Sequence, residues 1–242
     1  MEKKIDVTTT QEITAALQAL GNPDKAKHLA RFFKTGKGQY GEGDLFLGVT
    51  VPEQRMIAQK YMQTDFENLS RLIDSPYHEV RLTALLIVVY KFEKNKSPEL
   101  RSQCVDFYLR HTRYINNWDL VDLTCYKLLG VWLKDKDRSL LHNWAANGDL
   151  WEQRIAIVTC MQFIRQKDFS DFLVIADLLL HHPHDLIHKA IGWLLREVGK
   201  KDKETLTDFL STRYRTMPRT MLRYAIERFP EEERKAYLAS EI

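Results

Sequence analysis

Four side chains have the types and spacing for chemistry: Trp118, Asp122, Arg154 and Trp193. Trp118 and Asp122 stand four residues apart in Asn117-Trp118-Asp119-Leu120-Val121-Asp122, so on a helix they share one face. A carboxylate beside an indole in an otherwise apolar helix is costly unless it is used or paired. The alternative for Asp122 is an ordinary solvated aspartate. Asp119 adjoins Trp118 and is expected to point elsewhere, capping or ending a turn. Indole faces attract cations by about 0.5–2 kcal/mol when desolvated, although tryptophans at helical spacing are usually core. Trp132, Trp144 and Trp151 are expected there. Trp193 follows Gly192, which removes a side chain where something can approach closely. Arg154 is either a buried partner of Glu152 or Asp122, or a clamp on a phosphate.

Helices must position these groups. The polar residues that open successive apolar runs are Arg81, Asp119, Arg154, Lys189 and Arg223, at intervals of 38, 35, 35 and 34 residues. That regularity matches repeats of paired antiparallel helices, about 34 to 47 residues long. Each run carries the helical period, as in Leu82, Leu85, Leu86 and Val89. The spacing predicts an all-α fold, an α-solenoid of HEAT-like repeats with a concave groove, forming a single domain over 1–242. Stacked repeats set equivalent faces side by side, so residues distant in sequence can line one groove. Helices are predicted over 10–20, 23–34, 52–62, 66–74, 78–92, 97–111, 118–133, 137–146, 150–165, 169–181, 184–199, 202–214, 217–228 and 230–239. Pro23, Pro52 and Pro230 suit first helical turns, and Asp24, Glu53 and Glu231 follow them, as the helix dipole favours.

Composition bounds the rest. The chain has 242 residues, 44% hydrophobic and 29% charged, and no apolar run approaches a membrane span. The start, Met-Glu-Lys-Lys-Ile-Asp-Val, lacks an apolar signal core, so a cytoplasmic protein is expected. Cys104, Cys125 and Cys160 form no CxxC pair and read as buried small hydrophobes. A net charge of +3 allows a polyanionic partner without requiring one. Arg213, Arg215, Arg219 and Arg223 interleave with Tyr214 and Tyr224. Four of ten glycines crowd into Gly36–Gly43 beside Lys34 and Lys37. That segment reads either as a mobile loop bringing backbone amides to phosphates or as an ordinary interhelical connection. His184 and His188 stand at i, i+4 like the histidines of HExxH, but with Asp185 for the glutamate and no evident third ligand, so a surface or capping cluster is favoured over a metal site. GxxxxGK[ST], GxSxG and a Gly-rich helix-hairpin-helix are missing.

The stretches Phe46-Leu47-Gly48-Val49-Thr50-Val51-Pro52-Glu53-Gln54-Arg55, Trp118-Asp119-Leu120-Val121-Asp122, Trp151-Glu152-Gln153-Arg154-Ile155-Ala156-Ile157 and Lys189-Ala190-Ile191-Gly192-Trp193-Leu194-Leu195-Arg196-Glu197 occur in an order that resembles the AlkD-type alkylpurine DNA glycosylases. The resemblance covers about residues 20–200. It implies a HEAT-like fold with Asp122 as catalytic carboxylate, Trp118 and Trp193 as groove tryptophans and Arg154 as essential arginine. The family's aromatic hydroxyl near the N-terminal helices aligns with Phe32, which removes a polar contact. The implied activity is hydrolysis of the N-glycosidic bond of cationic N3-methyladenine or N7-methylguanine, the first step of base excision repair. The implied partner is double-stranded DNA with alkylated bases, met by a monomer at the bacterial nucleoid without cofactor or metal. Arg154, Lys189, Phe32, Lys34, Lys37, Arg219 and Arg223 are the candidate DNA contacts. Two other readings remain: a non-catalytic binder of DNA structures from the same superfamily, and a helical scaffold for protein partners.

Overall fold

A computed structural model describes residues 8–242; the polar stretch 1–7, read above for a signal segment, lies outside the described residues. Among these, the ordered elements are helices, and one isolated bridge pairs Leu45 with Tyr77. The all-α expectation holds. No helix of the described residues is long and apolar enough to cross a membrane.

The chain divides into two compact units. Residues 1–124 form the first, with α1 (Thr8–Ala19), α2 (Pro23–Phe32), α3 (Val51–Lys60), α4 (Phe66–Ile73), α5 (His78–Lys94), α6 (Pro98–Arg110), a 3-10 turn at Thr112–Tyr114 and the short α7 (Trp118–Asp122). Every residue of α5 from His78 to Tyr90 is buried. A helix sealed on all sides belongs at the centre of its unit, and α5 packs against α1, α3, α4, α6 and α7. The start of α2 follows its sequence signals. Pro23 opens it, and the Asn22 side chain accepts the amides of Asp24 and Lys25 at 3.1 and 3.0 Å.

Residues 125–242 form the second unit: α8 (Cys125–Trp132), α9 (Ser139–Asn147), α10 (Leu150–Thr159), α11 (Met161–Ile164), α12 (Ser170–Leu178), α13 (Asp185–Lys201), α14 (Lys203–Ser211), α15 (Arg219–Ala225) and α16 (Glu231–Ala239). Its core is α10, buried from Arg154 to Thr159, against α8, α9, α12 and α13, while α13 also packs on α14 and α15. Of the three tryptophans expected in the core, Trp144 is buried, whereas Trp132 and Trp151 are half-buried. Trp132 instead offers its ring to the Lys136 ammonium, 4.0 Å away.

Two predicted helices are broken. The one expected over 118–133 stops at Asp122 and resumes at Cys125. Thr124 is the cause. Its hydroxyl donates to the Leu120 carbonyl at 2.5 Å, and its amide turns to Val121 at 3.1 Å. The helix expected over 150–165 tightens at Cys160, whose amide donates to Ile157, three residues back, at 3.1 Å. Pro230 is the cap residue of α16 rather than part of its first turn.

Candidate active-site residues and their surroundings

In the first unit, Asn117 starts α7. Its side chain accepts the Trp118 amide at 2.9 Å and is itself wholly buried. Trp118 and Asp122 occupy the two ends of this five-residue helix, both half-buried. The indole lies in an aromatic wall. Phe33, just beyond α2, stacks on it with centroids 5.2 Å apart, and Phe32 meets it edge-on at 5.8 Å. Phe32 is 54% exposed, so the position expected to lack a hydroxyl presents a bare apolar ring beside Trp118. Phe33 is buried and stacks in turn on Phe46 at 5.2 Å.

Beneath this wall is a charged group that sequence reasoning missed. His78, at the first position of α5, is 1% exposed and packs on Phe46 at 4.7 Å and Phe33 at 5.0 Å. Its Nε2–H donates to Asp119 Oδ2 at 2.9 Å and its Nδ1–H to Asp44 Oδ2 at 3.3 Å. Arg81 Nη2 reaches Asp44 Oδ1 at 2.8 Å and donates to Asn116 Oδ1 at 3.0 Å, and Nη1 donates to the Ser75 carbonyl at 2.9 Å. Burial by itself would strip the imidazole of its proton. The Asp119 carboxylate and the two hydrogen bonds outweigh that, against a small opposing push from Arg81, and lift the His78 pKa to about 9. Asp44 is held below the usual carboxylate range: burial opposes this, and the His78 and Arg81 contacts prevail.

Asn117, not Asp119, is the cap of α7; Asp119 Oδ1 accepts the adjacent Leu120 amide at 2.8 Å, and its other oxygen serves His78. Its neighbour on α5, Glu79, is also buried. That carboxylate accepts the amides of Leu47, Gly48 and Val49 at 3.0, 2.8 and 3.3 Å. Gly48 has φ +84°, and a Cβ there would lie 2.1 Å from the Asn22 carbonyl oxygen, so only glycine fits. The available signal was a helix opening with His78, Glu79 and Arg81 ahead of an unbroken apolar run: three charges with no face for water.

Lys34 and Lys37 are exposed on the Gly-rich loop. Of the two readings of this loop, its hydrogen bonds favour the ordinary interhelical connection. Gly36 donates to Gln39 Oε1 at 2.9 Å and Gly38 to Glu42 Oε2 at 2.7 Å, while Gly41 donates to the Lys34 carbonyl at 3.1 Å. These amides are already spent inside the loop, because Gln39 and Glu42 place acceptors within reach of them.

In the second unit, Arg154 is 4% exposed, and its Nη1 donates to the Leu186 carbonyl in the first turn of α13, at 2.5 Å. Its burial and this bond tie α10 to the first turn of α13. Lys189 pairs with Asp185 at 2.6 Å one turn back on α13, and Trp193 follows one turn on, half-buried. The close approach expected at Gly192 is made by α15: a Cβ would lie 2.5 Å from the Met221 carbonyl oxygen and 2.6 Å from Tyr224 Cβ. Arg219 and Arg223 stand exposed on α15, with Arg219 Nη2 donating to the Leu238 carbonyl at 2.5 Å. The two other arginines of that cluster are tied down, Arg213 to Asp177 at 2.5 Å and Arg215 to the Ile242 carbonyl at 3.1 Å.

The histidines build a turn. His184 Nδ1 accepts the Leu186 amide at 3.1 Å and His182 Nδ1 accepts that of His184 at 3.0 Å. Burial lowers the pKa of both, reinforced at His182 by His184 and His188 and opposed at His184 by Asp185, which keeps those nitrogens as acceptors. No group of three His, Cys, Asp or Glu among the described residues is disposed to hold a metal.

Comparison with known proteins follows the same lines. The sequence model of the DNA alkylation repair enzyme family matches residues 13–229. A solved structure described as a predicted DNA alkylation repair enzyme from Enterococcus faecalis superposes with a TM-score of 0.68 at 16% identity, over 87% of this chain and 97% of that one. That likeness establishes the fold. No curated protein matches. With nearly its whole length matched, this chain belongs to the family of DNA alkylation repair enzymes.

Proposed function

We propose that the chain is a monofunctional DNA glycosylase that hydrolyses the N-glycosidic bond of cationic alkylpurines such as N3-methyladenine and N7-methylguanine. The observation that carries this reading is a half-buried carboxylate, Asp122, on the same five-residue helix as an indole backed by Phe32 and Phe33. A purine alkylated at N3 or N7 already carries positive charge and departs as a neutral base. The acid that ordinarily protonates a leaving group is then unnecessary, and one carboxylate suffices where other glycosidases use two.

Asp122 opposes the oxocarbenium charge that grows on the deoxyribose and orients the attacking water. At about 4 Å and an effective dielectric near 20 this attraction is on the order of 4 kcal/mol, roughly a thousandfold in rate. Trp118, held flat by Phe33, packs against the sugar and keeps bulk water away. Lys34, Lys37, Arg219 and Arg223 supply phosphate contacts that set position rather than sequence preference. From the family resemblance, Arg154 and Lys189 contact phosphate and Trp193 the sugar. Arg154 acts together with the first turn of α13, which it already holds. The partner is double-stranded DNA, and the chain acts as a monomer.

The test is release of methylated base from alkylated duplex DNA under single-turnover conditions. Wild type should release it, and Asp122→Asn should lose about three orders of magnitude in rate while keeping its affinity for the duplex. Wild type that binds branched DNA and releases nothing would replace this reading with a non-catalytic binder.

A further inference from the structure

We infer that His78 is a positioning residue: its ring ties Asp44 of the Gly-rich loop to Asp119 of α7 and so fixes where Trp118 and Asp122 stand. The inference rests on the glycosylase reading for its catalytic consequence, though not for its geometry. Helix α7 is five residues long, too short to hold itself in water, so its placement depends on what grips it. Leu120 and Val121 bury the far face of α7, and two further grips act at its Trp118 end. One is the Phe33 stack on Trp118, and the other is the 2.9 Å bond from His78 to Asp119, the residue next to Trp118. Both converge on the same imidazole, because Phe33 also covers the His78 ring.

Each ring nitrogen of His78 faces a carboxylate oxygen, and only an imidazolium has a proton for both. A neutral ring would turn one lone pair onto Asp44 or Asp119. The charged groups facing the ring are Asp44 from the loop, Asp119 from α7 and Arg81 from α5 itself, while Phe33 and Phe46 offer ring faces that favour a cation. With two cations and two carboxylates the buried group is neutral as a whole. Removing one member leaves a charge unpaired, a far larger disturbance than deleting the set. Loss of the His78 proton therefore leaves one of the two carboxylates facing a lone pair, so the tie between the loop and α7 breaks at that end and Trp118 shifts with it.

The experiment incorporates 5-fluorotryptophan and follows the 19F signals of the five tryptophans, with Trp118 identified by Trp118→Phe. In wild type the Trp118 signal should move between pH 7 and 10 with a midpoint near 9. In His78→Gln it should be displaced already at pH 7 and lose the pH step, with the other signals unchanged as proof of folding. Asp119→Asn, the milder change should His78→Gln fail to fold, should bring the midpoint down. In base release, His78→Gln should slow the single-turnover rate by about a hundredfold while DNA affinity stays within about a factor of two. A destabilised variant whose Trp118 signal and rate stay as in wild type would make His78 mere filling and overturn the inference. Should wild type release no base, the glycosylase reading falls alone, and the Trp118 signal still decides the role of His78.

Discussion

Phe33 lies against Trp118 with ring centroids 5.2 Å apart and planes 25° from parallel, so a residue beyond α2 sets the attitude of an indole on α7. Phe33 is 6% exposed and also covers Phe46 and His78, whereas its neighbour Phe32 is 54% exposed. Phe33→Ala is expected to cost about 3–5 kcal/mol, as for other buried aromatics. Phe32→Ala should cost less than about 1 kcal/mol, since mostly exposed side chains contribute little to stability. Urea denaturation of the two variants measures both, and equal losses would contradict the wall described here.

Stability should depend on pH through His78. Its folded pKa near 9 exceeds the unfolded value of 6.5, so its contribution is complete below about pH 6.5 and disappears as pH rises through 9. The difference corresponds to about 3 kcal/mol. Asp44 acts at the other end. Its lowered pKa contributes stability above about pH 4 that is lost on further acidification. Guanidinium midpoints measured from pH 6 to 10 should fall in wild type and hold level in His78→Gln.

Gly192 and Gly199 both lie on α13 and should respond unequally to alanine. Alanine favours a helix over glycine by about 1 kcal/mol. At Gly192 the new methyl meets the Met221 carbonyl oxygen at 2.5 Å and must push the α15 backbone. Overpacking of that kind costs about 1–3 kcal/mol, so Gly192→Ala should lower Tm. At Gly199 the methyl meets Leu206 Cδ2 at 2.4 Å, the end of a buried side chain rather than a backbone atom, and Tm should fall less than at Gly192. Thermal unfolding of the pair checks this.

Duplex affinity should fall linearly with salt on logarithmic axes. Lys34→Ala and Lys37→Ala should each reduce the slope by about 0.9 if each side chain neutralises one phosphate. Titrations at several salt concentrations give the slopes; unaltered slopes would remove the loop from the DNA interface.

The regular spacing of Arg81, Asp119, Arg154, Lys189 and Arg223 made the helical fold legible, and Pro23 and Asn22 marked a helix start because capping is local chemistry. Gly192 was legible for the same reason: a missing Cβ implies an intruder. The break at Thr124 was hidden, because a threonine hydroxyl that claims a carbonyl looks no different in sequence from one that does not. His78 with Asp44 and Asp119 was hidden by distance, since 34 and 41 residues separate the partners. Asp119 was read as a residue that caps or ends a turn, and its bond to a buried cation was not foreseen. The Gly-rich loop left two readings open, and what decided between them, the claim of Gln39 and Glu42 on its amides, is not visible in glycine content.

The three cysteines are wholly buried, and that burial has a chemical consequence. It pushes the Cys104 thiol up to about 11 and the Cys160 thiol well above its usual range. Thiolate, not thiol, is the form that attacks electrophiles. A protein of alkylation repair works amid reagents that methylate soft nucleophiles. All three sulfhydryls are kept from solvent, and Cys104 and Cys160 hold their protons at neutral pH, which disfavours their methylation by the agents that damage DNA.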